Sequence, residues 1–314
     1  MKDAFQAAYI ETNQTGLLSD KIRTAYHILR SCTLCPRQCL VDRLDSNARG
    51  VCNTGKLAWV SSYHPHFGEE APLVGSHGSG TIFFTHCNLL CNFCQNFDIS
   101  HEGVGEAVTD RQLADMMMSL QQAGCHNINF VTPSHVVPQI LSAVKIAADS
   151  GLTVPLVYNS GGYDRVSTLQ LLADVFDIYM PDFKFWAPDV ADATCRAPDY
   201  PETAGKAIAE MHRQVGDLVT NRDGIAQKGV LIRHLVLPGG LAGTRDIMRF
   251  VFEKISAHSY VNIMPQYRPC GRAHEIKELA RPITDEEFNQ ALKAAREEGI
   301  TRLDRPRRTF VIWP

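Results

Sequence analysis

Between residues 82 and 264 the chain alternates short apolar runs with stretches of helical periodicity, a pattern that few folds accept. The runs are Ile82–Phe84, Ile128–Val131, Val154–Val157, Asp177–Met180, Val230–Val236 and Tyr260–Met264. Each is too short for a buried helix, and most are rich in the branched and aromatic side chains that suit strands. Helical stretches separate them. Thr109-x-x-Gln112 has the form of a capping box; Leu113, Met116, Met117 and Leu120 follow at helical spacing, and Gly124 ends the run. That methionine-bearing stripe reads as core packing. Thr284-x-x-Glu287 opens a second such helix, with Phe288, Leu292 and Ala295 on one face and Gly299 beyond its end. Residues 20–31, Ala204–Val215 and Ile247–Ile255 read as further helices. The alternation predicts an α/β fold with a parallel sheet, and six units fall short of a closed eight-stranded barrel. A partial (β/α)6 barrel fits. Ligands of such folds bind beyond the carboxyl ends of the strands, so function is sought there.

Composition narrows the partners. A formal net charge of -3 over 314 residues argues against a nucleic-acid partner, which would favour a basic surplus. No run approaches the ~20 apolar residues of a membrane span. The opening MKDAFQAAYIETNQTG lacks the apolar core of a secretory signal, so a cytoplasmic location with no membrane partner is expected. Ten cysteines is many for such a chain, and seven of them fall in two tight groups. In the cytosol such clusters point to metal or redox chemistry rather than disulfides. The chain divides into residues 1–75, a helix and a Cys-rich metal-binding segment, and residues 76–314, the partial barrel with a carboxyl-terminal extension.

The central group, Cys87, Cys91 and Cys94, has the pattern C-x3-C-x2-C directly after the first apolar run. Three thiolates on one short loop suit three irons of a [4Fe–4S] cubane and leave the fourth iron open to another ligand. A zinc knuckle or buried free thiols are the alternatives; zinc normally takes four ligands, and Asn, Leu and Phe between the cysteines supply none. His86, as the immediate neighbour of Cys87, is poorly placed to complete the set.

HCNLLCNFCQN after the first strand of a βα array resembles the motif of the radical S-adenosylmethionine (SAM) superfamily, and the fold implied is that superfamily's TIM-like partial barrel. The resemblance implies that the open iron chelates SAM and that an electron from the cluster cleaves it to methionine and a 5′-deoxyadenosyl radical, which abstracts hydrogen from a substrate. It places Phe93 beside the adenine. It also gives roles to later strand ends. VTPSH occupies the position of a Gly-Gly-Glu segment that binds the SAM amino group, offering Thr132 and Ser134, with Ser134 also a candidate cap for the next helix. His135 reads as a surface histidine at a helix start, with catalysis as the alternative. YNSGGYD and MPDFK resemble the Asp-Thr-Asn-Gly and Asp-x-Lys segments of glycyl-radical-enzyme activases, offering Asn159, Ser160, Asp182 and Lys184. The carboxyl position of Asp182 and Lys184 on their strand weighs against a mere surface ion pair. RHLVLPGG resembles the activase Arg-x-Val-x-Pro-Gly stretch, offering Arg233; His234 alternates with it, so only one should face the lumen. MPQYRP offers Gln266, Tyr267 and Arg268.

Over nearly its full length the chain resembles the branch related to pyruvate formate-lyase-activating enzyme. The expected partners are an electron donor such as flavodoxin or ferredoxin, and a glycyl radical enzyme or other polypeptide as substrate. A small molecule or short peptide is the second possibility for the substrate. A non-catalytic Fe–S or zinc protein is the third, disfavoured because electron carriers complete their ligand set.

Cys32, Cys35, Cys39 and Cys52 form the other group, C-x2-C-x3-C-x12-C. Four thiolates in this space fit a structural zinc or an auxiliary Fe–S cluster, with unligated structural thiols as the plain alternative. Cys125, Cys195 and Cys270 read as free thiols.

Overall fold

The computed structural model describes residues 5–45 and 50–304. Two helices come first, α1 (Ala8–Gln14) and α2 (Leu17–Ile28), followed by an irregular segment carrying the first cysteines. Then come β1 (Ala58–His66), a single helical turn α3 (Ala71–Val74), β2 (Ser79–Phe84) and β3 (Glu106–Val108). From there strands and helices alternate: α4 (Asp110–Gln122), β4 (Ile128–Val131), α5 (Val137–Asp149), β5 (Leu156–Ser160), α6 (Val166–Leu171) and β6 (Ile178–Pro181). Helices α7 (Pro188–Cys195) and α8 (Tyr200–Val215) precede β7 (Val219–Thr220) and β8 (Ala226–Leu235). The chain continues through α9 (Thr244–Phe250), β9 (Tyr260–Met264), α10 (Asp285–Glu297) and β10 (Arg302–Leu303).

The strands form one sheet in the order β10-β9-β8-β6-β5-β4-β2-β1-β3, with β7 paired to β8. From β2 to β10 all neighbours along this path are parallel. The two ends, β10 and β3, do not meet, so the barrel is open. Its six main strands are the six apolar runs, with shifted edges. Strand β5 starts at Leu156 rather than Val154, because Pro155 has no N–H for the ladder and contributes only its carbonyl, to Ile128.

Strand β1 was not anticipated. It pairs antiparallel with β2, and β3 pairs with it only at Ala58–Val60, so Pro65 sits where no partner needs its missing N–H. Residues 1–75 and 76–314 thus share one sheet, and Tyr9, Leu18 and Leu29 join the main core with Ile82, Phe130 and Ile140.

Both capping boxes form. Thr109 and Thr284 each accept from the N3 amide, and the N3 side chain returns to the cap backbone. Leu113, Met117 and Leu120 are buried as core. Ser134 does not cap α5, correcting that reading: the cap is Val136, with Pro138 in the first turn.

The sheet separates two apolar clusters. The larger fills the space between strands and helices. The smaller, with Leu73, Val157, Ile178, Met180 and Leu231, occupies the concave face. Two residues on from Val157, Met180 and Leu231 come Asn159, Asp182 and Arg233, which share their face by the period of two. A polar layer therefore sits directly above an apolar floor, at the carboxyl ends of the strands.

Candidate active site

The loop after β2 carries the three cysteines, and it is tied down from several sides. The Asn88 side chain donates to the Tyr163 carbonyl (2.7 Å), and Asn92 N–H donates to the Thr194 carbonyl (2.9 Å). The Arg37 guanidinium, from the amino-terminal segment, donates to the carbonyls of Asn88 (3.0 Å), Leu89 (3.2 Å), Cys195 (2.7 Å) and Arg196 (2.5 Å). Leu90 takes a left-handed φ of 57° to turn the chain between Cys87 and Cys91. The Leu89 N–H points at the Cys87 sulfur (3.3 Å), an arrangement that favours thiolate. Burial nevertheless pushes the Cys87 thiol up to about 12 and raises Cys94. The hydrogen bond that the Cys91 thiol donates to the neighbouring Cys195 sulfur, then burial, raises Cys91. Without a bound cation three such anions would not coexist here.

Cys91 and Cys94 border two adjoining cavities, of about 380 and 170 Å³, the smaller also reaching Cys87. Asn159, Asp182, Lys184 and Arg233 line both. They are joined: Arg233 donates from Nε to Asp182 Oδ1 (2.8 Å) and from Nη2 to Asn159 Oδ1 (2.7 Å), and Lys184 Nζ meets Asp182 Oδ2 (2.5 Å). Burial alone would raise Asp182, but Arg233 and Lys184 hold its carboxyl below the usual range. Asp182 and Lys184 are thus a largely buried pair within the site. Glycine is required at 162, where φ is +76° and a Cβ would fall 2.1 Å from the Asp182 carbonyl.

The other candidates divide. Phe93 lines the larger cavity and packs edge-on against Phe185 and Tyr267. Gln266 lines it too, and its carbonyl accepts from Gln95 Nε2 (2.8 Å). Thr132, with φ of 62°, and Ser160 line the smaller one. Ser160 also donates to Asp164 (2.6 Å), and Ser134 hydrogen-bonds to the same carboxylate, away from both cavities. Arg233 faces the cavity and His234 the opposite side, as their alternation requires: His234 donates from Nδ1 to the Phe183 carbonyl (2.7 Å) and meets Thr244 at Nε2 (2.9 Å). Tyr267 is buried with its hydroxyl on the Leu279 carbonyl, and Arg268 borders neither cavity. His135 is 1% exposed, not at the surface as expected; Pro133 and Pro138 flank a tight entry to α5 that turns its ring inward onto the Thr85 carbonyl (2.9 Å).

Three residues were missed. Glu69, in the loop after β1, lies 3.6 Å from Arg233; burial and then Glu70 push its carboxyl up to about 7. Its only sequence signal is an acidic pair just before the first parallel strand. Cys195, read as an unconnected thiol, reaches Cys91 because α7 ends against the cysteine loop. Arg37 gave no signal beyond its place inside the first cysteine group. Among the described residues, no three His, Cys, Asp or Glu side chains crowd together as the ligands of a single ion, and no helix is long and apolar enough to cross a membrane.

No family model matches the chain. Among solved structures, a radical SAM methyltransferase from Sphaerobacter thermophilus overlays with a TM-score of 0.47 and 17% identity, over 72% of this chain and 67% of that one. HydG, a maturase of the [FeFe]-hydrogenase, overlays with a TM-score of 0.49 and 12% identity, over 70% of this chain and 49% of that one. In sequence, the uncharacterized protein MJ0674 of Methanocaldococcus jannaschii is 32% identical over 305 residues, spanning 95% of this chain and 84% of its own length. At that identity and span, the chain belongs to the family of MJ0674.

Proposed function

We propose that this chain is a radical SAM enzyme whose [4Fe–4S] cluster is held by Cys87, Cys91 and Cys94. One observation carries the reading: the C-x3-C-x2-C thiols stand at the carboxyl end of the first parallel strand, bordering a cavity lined by a linked Asn159–Arg233–Asp182–Lys184 group. The residues fit the cofactors. Three thiols on one tethered loop match a cubane with one open iron. Lys184 and Arg233 offset Asp182 and supply cationic donors for an anionic cluster and a carboxylate, and burial keeps Glu69 only partly ionised near neutral pH. The larger cavity, about 380 Å³, is of a size for a small ligand. When bound, the cluster supplies the electron that cleaves SAM to methionine and the 5′-deoxyadenosyl radical that takes hydrogen from a substrate.

The chain's own residues orient and shield. Arg233, fixed by Asp182 and Asn159, presents its remaining donors to a carboxylate, and Asp182 is held anionic for an ammonium group. Phe93 covers one wall and keeps water from the reacting centre. On this reading the substrate is a polypeptide, as MPDFK and RHLVLPGG resemble activase segments, and a flavodoxin or ferredoxin supplies the electron. Iron and sulfide analysis tests the ligands. Reconstituted wild-type protein should gain the central four irons, and alanine at Cys87, Cys91 or Cys94 should each lose them; full loading of the three variants would reject the assignment. A glycyl radical signal on a mixed-in partner, by electron paramagnetic resonance, would support the polypeptide substrate.

A further inference from the structure

The strongest unassigned feature is a buried cation among thiols. Cys32, Cys35 and Cys52 are buried and Cys39 is partly exposed. Cys35 lies within electrostatic reach of all three others. The local backbone is shaped around sulfur: Cys32 N–H donates to the Val41 carbonyl (2.9 Å) and Leu40 N–H to the Cys32 carbonyl (3.0 Å), closing a tight loop around Cys35 and Cys39. Gln38, Leu40 and Asn53 take left-handed φ values to make the turns, which no local glycine explains. The Val51 N–H points at the Cys39 sulfur (3.4 Å), and the Arg37 N–H at the Cys35 sulfur.

Beside this group lies Arg43, 1% exposed. Its Nη1 is 3.8 Å from the Cys32 sulfur and its Nη2 donates to the Gly55 carbonyl (3.2 Å), but its buried Nε meets no acceptor. No carboxylate pairs with it among the described residues. A guanidinium cannot lose its proton, and a buried charge without a counter-ion is costly, so the site as neutral thiols is electrostatically incomplete. A tetrathiolate metal centre completes it. Four thiolates around Zn²⁺, or around a [4Fe–4S]²⁺ cubane, carry a net negative charge and place polarisable sulfur where Arg43 and the backbone amides point; the thiols do not crowd round a single point, which suits the wider ligand spacing of a cubane better.

We propose that Cys32, Cys35, Cys39 and Cys52 hold one tetrathiolate metal centre, with Arg43 as its buried counter-cation. The centre is separate from the Cys87, Cys91 and Cys94 site and does not depend on the radical reading. Its place gives it a structural task. Arg37, between Cys35 and Cys39, is the residue that grips four carbonyls of the central cysteine loop and the end of α7. Ordering the first loop therefore fixes the second.

The test is a metal count on the C87A/C91A/C94A variant, purified without oxygen and checked for folding by circular dichroism. We expect either about one zinc or about four irons with sulfide per chain, lost on further C35S/C39S substitution. A folded, metal-free triple variant would overturn the proposal, as would metal that survives C35S/C39S. Should the triple variant fail to fold, X-ray absorption of the wild-type protein decides. In the zinc case its edge should show four sulfur neighbours at about 2.3 Å. In the iron case the count should exceed that of one cubane. Nitrogen or oxygen ligands, or iron for one cubane alone and no zinc, would overturn the proposal. R43M should speed metal loss to a chelator at least tenfold, and an unchanged rate would refute the counter-cation.

Discussion

Arg233 is the residue on which most of the candidate site converges, since it bonds Asp182 and Asn159 and faces Glu69. Its planar fork makes the two bonds from two separate nitrogens, a spacing that the single nitrogen of a lysine ammonium does not reproduce. Arg233→Lys should therefore weaken SAM binding by about ten- to a hundredfold, the loss of one or two charge-assisted hydrogen bonds. Equilibrium dialysis on cluster-loaded protein would measure it, and unchanged affinity would remove Arg233 from the site. Its neighbour His234 makes a different prediction. Burial lowers its folded value to about 4, and the Phe183 carbonyl fixes the neutral Nδ1–H form. The unfolded imidazole binds a proton near 6.5, so the stabilisation is present above that pH. It is lost as pH falls from about 6.5 towards 4, by up to about 3 kcal/mol. Urea titrations at several pH values should show the decline, and His234→Gln should make it shallower without abolishing it, because His135, likewise buried and lowered to about 3, adds a decline of the same sign. Arg233 was legible as a strand-end residue within a resembling segment. Glu69 was not: it reaches the site from a loop before β2, and its carboxylate meets Arg233 of β8 only once the open sheet has curved.

At the scale of elements, the capped helices give the plainest expectation. Thr109→Ala and Thr284→Ala each remove a reciprocal pair of bonds at a helix start, and each should cost about 1 kcal/mol. Denaturant midpoints should fall with unchanged slope, and no shift would mean the boxes hold nothing. The cysteine loop is governed from outside its own sequence. Arg37→Ala would free four carbonyls at once, so it should speed iron loss from the central site in air several-fold, read from the decay of the cluster's visible absorbance. Equal decay in both proteins would show the loop to be self-supporting. The period of apolar residues was enough to find the six parallel strands, because each packs on both faces. It missed β1, where polar and aromatic residues mix on an edge-side strand, and it misplaced the start of β5, which Pro155 sets. The Thr109 and Thr284 signals were purely local, and both survived folding unchanged.

Across the whole molecule, the open sheet arranges two chemistries on one face, an apolar floor and a charged rim, with the thiols standing at the rim's edge. The floor follows from alternation within each strand, whereas Asn159, Asp182 and Arg233 were legible from their places at strand ends and from the segments that resemble activase ones. The joining of Cys195 to Cys91, and of the first cysteine segment to the second through Arg37, was not, because both contacts cross more than fifty residues and depend on how α7 and the amino-terminal loop dock. At the rim's edge the Cys87, Cys91 and Cys94 loop is proposed to support reductive cleavage of SAM. The direct measurement is anaerobic incubation of reconstituted protein with SAM and dithionite, followed by quantification of 5′-deoxyadenosine. The wild-type chain should form it and C91A should not; a fully loaded wild-type protein that forms none would contradict the claim.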